Sequence, residues 1–195
     1  LTLEIGGPMS SDPAKSPEGP YRRNFITPSA TVMRREVLAD VGPWNTAMKY
    51  CEDQDFWLRC LRMGKQFQII GGLPCLYRKN HDGATTQRES GTNEEFAEIV
   101  ERFIPMPGTR ESRLRRHVSK AYRRAADCHA RQNPRDPSAD PSRCAALLYK
   151  AWQLQPMRVD ILYKMLRYSI KDRFRRPKPA PPASSQDTIP MRSAA

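Results

Sequence analysis

Apolar and polar positions divide the chain into short segments of recognisable period. The run "NFITPSATVMRREVLADVGPW" (24–44) starts extended and β-branched. It then places Met33, Val37, Leu38 and Val41 on one helical face before Gly42 and Pro43 stop it. A second helix is predicted over 53–63, with Phe56, Trp57, Cys60 and Leu61 as its buried stripe and Gly64 as its end. "KQFQII" (65–70) reads as a strand, "GG" as a turn and "PCLYRK" (74–79) as a further extended piece. In "TNEEFAEIVERFI" (92–104), Thr92 and Glu95 have capping-box spacing. Phe96, Ile99, Val100, Phe103 and Ile104 trace a 3.6-residue stripe there, closed by Pro105 and Pro107. Three more helices are predicted over 113–131, 142–154 and 157–171, separated by "NPRDPSADP" and Pro156. Residues 1–20 carry Gly, Pro and Ser without periodicity and read as a loop or broken element. The stretch 173–195 is Pro-, Ala- and Ser-rich and reads as a disordered tail.

Composition bounds what these elements can build. The chain has 195 residues, enough for one ordinary domain with an appendage and too few for two enzymatic domains. A mean hydropathy of -0.72 and 18 Pro imply that only part of it packs into a core. No apolar run approaches the ~20 residues that span a bilayer, and the first residues lack a signal-peptide pattern, so the expectation is a cytoplasmic protein. Five scattered cysteines, none in CxxC spacing, read as reduced thiols rather than a disulfide framework or zinc site. The charge of +12 is uneven: residues 1–100 hold 12 Lys/Arg against 13 Asp/Glu, whereas 101–178 hold 20 against 7. The second part therefore invites an anionic partner.

The chemistry concentrates in "MKYCEDQDFWLRC" (48–60). Asp53 and Asp55 spell a DxD, yet two positions along a helix lie about 200° apart, so the pair cannot grip one ion if both are helical. Glu52 and Asp53 complement the positive end of a helix, with Asp53 as cap, a role that stabilises by about 0.5–2 kcal/mol. A catalytic role for the same acids stands beside that structural one.

The surrounding pattern resembles a known family. Residues 28–86 combine an "RREV" helix, a "VGPW" turn, the "EDQDFWLR" block, a glycine ending that helix, a strand and loop, and "YRKNHDGATT". In this order they are similar to the acceptor-binding half of a family 2 glycosyltransferase of the GT-A fold. The resemblance covers about a third of the chain and implies an α/β fold class: a partial GT-A fold, acceptor-side half, followed by an α-helical appendage and a disordered tail. The implied organisation is 1–20 remnant, 21–104 acceptor-side catalytic half, 105–172 basic helical appendage and 173–195 tail.

The resemblance makes Asp53 the general base that takes the acceptor hydroxyl's proton during inverting attack on a nucleotide-sugar donor, with Glu52 supporting it. It implies a divalent ion, Mn²⁺ or Mg²⁺, expected only together with the family's N-terminal nucleotide-binding half, with His81 as a ligand, against the alternative of a solvated loop histidine. Asn24, Thr27, Ser29 and Trp57 are the acceptor-binding candidates, the acceptor being a glycan or a lipid-linked sugar. Arg59 fits better as the structural partner of an acid than as a substrate contact. The family's nucleotide-binding half is not contained in 1–20, so the chain alone is expected neither to bind nor to turn over a sugar nucleotide.

The helical part ends in "KAWQLQP", similar to the close of a tetratricopeptide-type unit, although about one repeat is present where three or more usually stack. Its clusters "RLRR", "YRRAA" and "DRFRR" read as solvated faces or as an attraction to an anionic membrane, which would place the protein peripherally at the inner face. The alternative function is a non-catalytic basic helical module binding anionic membrane or nucleic acid. Nucleic acid is disfavoured, because no reader module appears and aromatics are few among the arginines.

Overall fold

A computed structural model describes residues 2–4, 18–24, 26–70, 88–131 and 136–173. Its elements are β1 (Thr2–Glu4), α1 (Arg35–Val41), α2 (Glu52–Arg62), β2 (Gln68–Ile70), α3 (Glu89–Arg102), α4 (Glu111–Arg131), α5 (Cys144–Leu154) and α6 (Val159–Arg173). Each helix falls within a few residues of the periodic segment that predicts it. The stop signals work as expected: Gly42 and Gly64 follow α1 and α2 with φ of 83° and 68°, a conformation that a Cβ disfavours.

The expected α/β GT-A architecture is not what these residues form. Among the described residues helix dominates and strand is confined to β1 and β2, three residues each, paired in parallel with Leu3 opposite Ile69. A parallel sheet is stable when helices cover both faces of several strands. Here the helices α3 to α6 bury their apolar stripes on one another instead. β1 lies within the segment read as a loop or broken element, and "PCLYRK" and the tail from 174 onward lie outside the described residues.

The directions of the helices follow from their partners. Ser119 Oγ donates to Ala151 O at 2.8 Å and Cys144 Sγ to Ala126 O at 3.3 Å, so α4 and α5 run antiparallel. Glu94 meets His129 and Glu101 meets Tyr122, which sets α3 against α4 in the same way. Arg123 reaches Asp160 and Asp127 reaches Lys164, so α6 runs along α4. The result is an up-down array of four helices.

Its core contains Ile99, Val100, Leu114, Val118, Tyr122, Leu148 and Ile161, all fully buried, with Ala125, Ala126 and Ala151 where backbones approach closely. Tyr21 and Leu58 belong to the same cluster, so packing runs without a break across the 104/105 boundary read from the sequence. A second cluster joins Ile26, Val37, Val41, Phe56, Trp57, Cys60 and Phe67. Helix α2 is wedged between the two, Leu58 entering the first and Phe56, Trp57 and Cys60 the second. Each such large side chain contributes about 1.5–3 kcal/mol by leaving water. A helix fixed from both sides is a rigid mount for whatever its first turn presents.

Candidate active site at the start of α2

The chain entering α2 is held from outside the helix. Glu95, in the second turn of α3, accepts backbone N–H bonds from Lys49 at 3.0 Å, Tyr50 at 2.7 Å and Cys51 at 2.9 Å. The expected capping box of Thr92 and Glu95 therefore does not form. Helix α3 begins at Glu89 instead, and Thr92 Oγ1 donates to Arg88 O within the helix. The first turn of α3 is served from far along the chain: Asp136 accepts Ser90 N–H at 2.7 Å and Ser138 Oγ accepts Gly91 N–H at 2.9 Å. Freed from capping its own helix, Glu95 positions the next one.

The loop before α1 is tied to α2 by two buried bonds. Gln54 Nε2 donates to Pro20 O at 2.7 Å, and Trp57 Nε1 donates to Ile26 O at 3.0 Å. Residues 54 and 57 are one helical turn apart, so they anchor the loop at two points along a single face. Tyr21 adds a third tie, its hydroxyl donating to Phe103 O at 2.6 Å. Between these anchors Asn24 reaches the first turn of α2, and its Nδ2 donates to Asp53 Oδ2 at 2.7 Å.

Asp53 is half-buried, with Oδ1 accepting the Gln54 N–H at 2.7 Å. Burial raises its pKa from the ordinary Asp value and outweighs the Asn24 and Gln54 bonds, which pull it down; the neighbouring Glu52 charge adds to the rise. Glu52 itself is exposed. Asp55 is buried and differently engaged, accepting a hydrogen bond from Arg59 Nε at 2.9 Å, with Arg102 at 3.9 Å. Arg59 also donates to Val41 O at 2.7 Å and Pro43 O at 2.8 Å, closing the α1 end onto α2. It is a structural brace, as its spacing from Asp55 suggests.

The remaining candidates separate. Thr27 and Ser29 lie in the same loop as Asn24, half-buried and exposed respectively. Trp57 is fully buried, its indole edge-on to Phe56 and Trp44, and presents no face to an acceptor. His81 lies outside the described residues. Among the described residues no three His, Cys, Asp or Glu side chains converge as ligands, since Asp53 is engaged by Asn24 and Asp55 by Arg59. The donor set for a divalent ion is thus not assembled by these residues. Burial pushes the Cys60 and Cys128 thiols up to about 11, which removes them as nucleophiles near neutral pH. An open cavity of about 450 Å³ lies between the 45–48 loop and the helical array, lined by Met48, Glu95, Glu98, Glu101, Tyr122 and Lys150. It does not include Asp53.

Sequence reading passes over one polar cluster. His129 Nδ1 accepts the Asp140 N–H at 2.9 Å, which puts the ring proton on Nε2, 2.9 Å from Glu94 Oε2. Arg143 pairs with the other Glu94 oxygen. Burial would raise the Glu94 pKa, but the His129 bond and the Arg143 charge outweigh it and hold the carboxyl low. The cluster ties α3, α4 and the start of α5 together. Glu94 lies 35 residues before His129, and Asp140 11 residues after it, so no local spacing announces the cluster.

Compared with family models, curated proteins and solved structures, the chain matches none.

Proposed function

We propose that this chain carries the acceptor-activating segment of an inverting glycosyltransferase, which moves a sugar from a nucleotide-sugar donor to a glycan or lipid-linked acceptor. The observation that carries the reading is Asp53: a half-buried carboxylate of raised pKa on a rigid helix start, gripped at one oxygen by Asn24. In the reaction the acceptor hydroxyl oxygen attacks the anomeric carbon, the bond to the nucleoside diphosphate breaks, and the hydroxyl proton passes to Asp53. A base works best when its pKa approaches the working pH, and desolvation moves Asp53 in that direction. Each carboxylate oxygen has two acceptor sites, so the bonds from Asn24 and Gln54 leave room for the acceptor O–H. Glu52, exposed beside it, raises the basicity of Asp53 through its charge.

The decisive test is transfer or hydrolysis of a panel of nucleotide-hexoses by the full-length protein, wild type against Asp53→Asn. A rate lowered by about a thousandfold supports the base role. Equal rates would falsify it.

The second reading is a non-catalytic basic helical module that binds an anionic surface. One observation favours it: one buried cluster joins Tyr21 and Leu58 to the helical array as far as Ile161. Under that reading Asp53→Asn leaves every binding activity intact.

A further inference from the structure

Helix α6 closes the array and is covered on one side only. Ile161 is fully buried, and Met165 and Tyr168 pack against the core. The opposite side carries Val159, Tyr163, Leu166 and Ile170, which are 73%, 69%, 51% and 60% exposed. Their spacing of four, three and four residues keeps them within about 60° around the helix axis. They form a single apolar stripe, extended by Met157, which is 91% exposed, just before the helix. Scattered surface leucines need no explanation, but a continuous stripe of this kind does.

Charge decides between the possible occupants. From Met157 to the end of α6 at Arg173 the sequence holds five Lys/Arg and two Asp. Asp160 is already engaged, in a two-oxygen contact with Arg158 and a further pair with Arg123. A second copy of this face would bring two positive segments together around the apolar contact. An anionic bilayer satisfies both features: the stripe enters the headgroup boundary, and the basic residues meet lipid phosphates.

We infer that α6 is an interfacial element, docking the protein on anionic phospholipid through Met157, Val159, Tyr163, Leu166 and Ile170 with the surrounding Lys and Arg. The helix lies in the plane of the membrane surface; among the described residues no helix is long and apolar enough to cross it. The inference stands apart from the transferase reading, because it uses none of the residues around Asp53.

The test is cosedimentation of the full chain with vesicles of phosphatidylcholine alone and of phosphatidylcholine with phosphatidylglycerol. Binding is expected to the mixed vesicles, weakening as salt rises and falling about tenfold in a Leu166→Ser, Ile170→Ser double variant. Circular dichroism of that variant should match the wild type, since both side chains are exposed. Asp53→Asn should bind vesicles as the wild type does, whatever its activity. The inference is overturned if the mixed vesicles are not bound, or if the double variant binds them undiminished. It is equally overturned if sedimentation velocity shows a dimer that the double variant converts to monomer, which would make the stripe a self-interface.

Discussion

At the residue scale the site rests on an acid that the fold keeps partly out of water. Because burial raises the Asp53 pKa, its contribution to stability is present below the ordinary carboxylate value and is lost as pH rises through the raised one. Asp53→Asn, which removes that charge while keeping an acceptor for Asn24, should leave the melting temperature at neutral pH unchanged or raise it, while lowering transfer about a thousandfold. A scanning-calorimetry comparison checks this, and a clear loss of stability would show that ionised Asp53 serves the fold. Glu52→Gln removes a neighbouring negative charge, so the Asp53 pKa should fall and the acid limb of kcat/KM should move to lower pH. The acids themselves are legible in the sequence. Their division of labour is legible in part: a turn of about 100° per residue already separates Asp53 from Asp55, and Arg59 four residues on is a ready partner for the latter. That Asn24 would be the residue reaching Asp53 follows from two side chains, Gln54 and Trp57, that look like ordinary helix positions until the loop is placed on them.

At the scale of elements, caps and loop anchors come from distant parts of the chain. Asp136→Ala removes the acceptor for Ser90 N–H and the local bonds to Ser138, and should cost about 1–2 kcal/mol in denaturant unfolding. Thr92→Ala, the variant a capping box would make costly, should cost much less, since the Thr92 hydroxyl donates to the Arg88 carbonyl one turn back rather than capping a free N–H. Trp57→Phe keeps the ring in the core but leaves Ile26 O without its donor. It should destabilise by about 1–3 kcal/mol and also lower transfer, because the anchored loop is what aims Asn24. If transfer is unaffected while stability falls, the loop does not aim the site. Periodicity located these helices well, since an apolar stripe that must be buried fixes period and approximate length. It misplaced the start of α3, because a cap is chosen by whichever acceptor reaches the free N–H groups, and here that acceptor is 46 residues away.

At the scale of the molecule, acid should unfold the helical array. At Glu94 the His129 bond and the Arg143 charge outweigh burial, at Asp136 the Ser138 and Ser90 bonds do, and the Ser142 bonds dominate at Asp140, so all three carboxyls sit below their ordinary values. Each contributes stability that is fully present above its unfolded pKa and is lost as pH falls through the folded one. Burial also lowers the His117 pKa, which adds a loss of the same sign as pH drops below about 6.5. Far-ultraviolet dichroism during thermal melts should therefore show the melting temperature falling from near-neutral pH towards pH 3. Glu94→Gln should flatten the most acidic part of that fall. The net charge of +12 works in the same direction, since protonating carboxylates increases self-repulsion.

The sequence alone determined the helices, their stop signals, the scatter of the cysteines and the acids at the head of α2, because each depends on residues within a few positions of one another. It also suggested, through resemblance, an α/β frame that the described residues do not form. Only the tertiary structure decided that β2 pairs with three residues near the start of the chain, that α2 is wedged between two cores, and that Trp57 faces inward rather than towards an acceptor. The physical reason is that a local pattern specifies which face of an element must be buried, but not which distant element buries it.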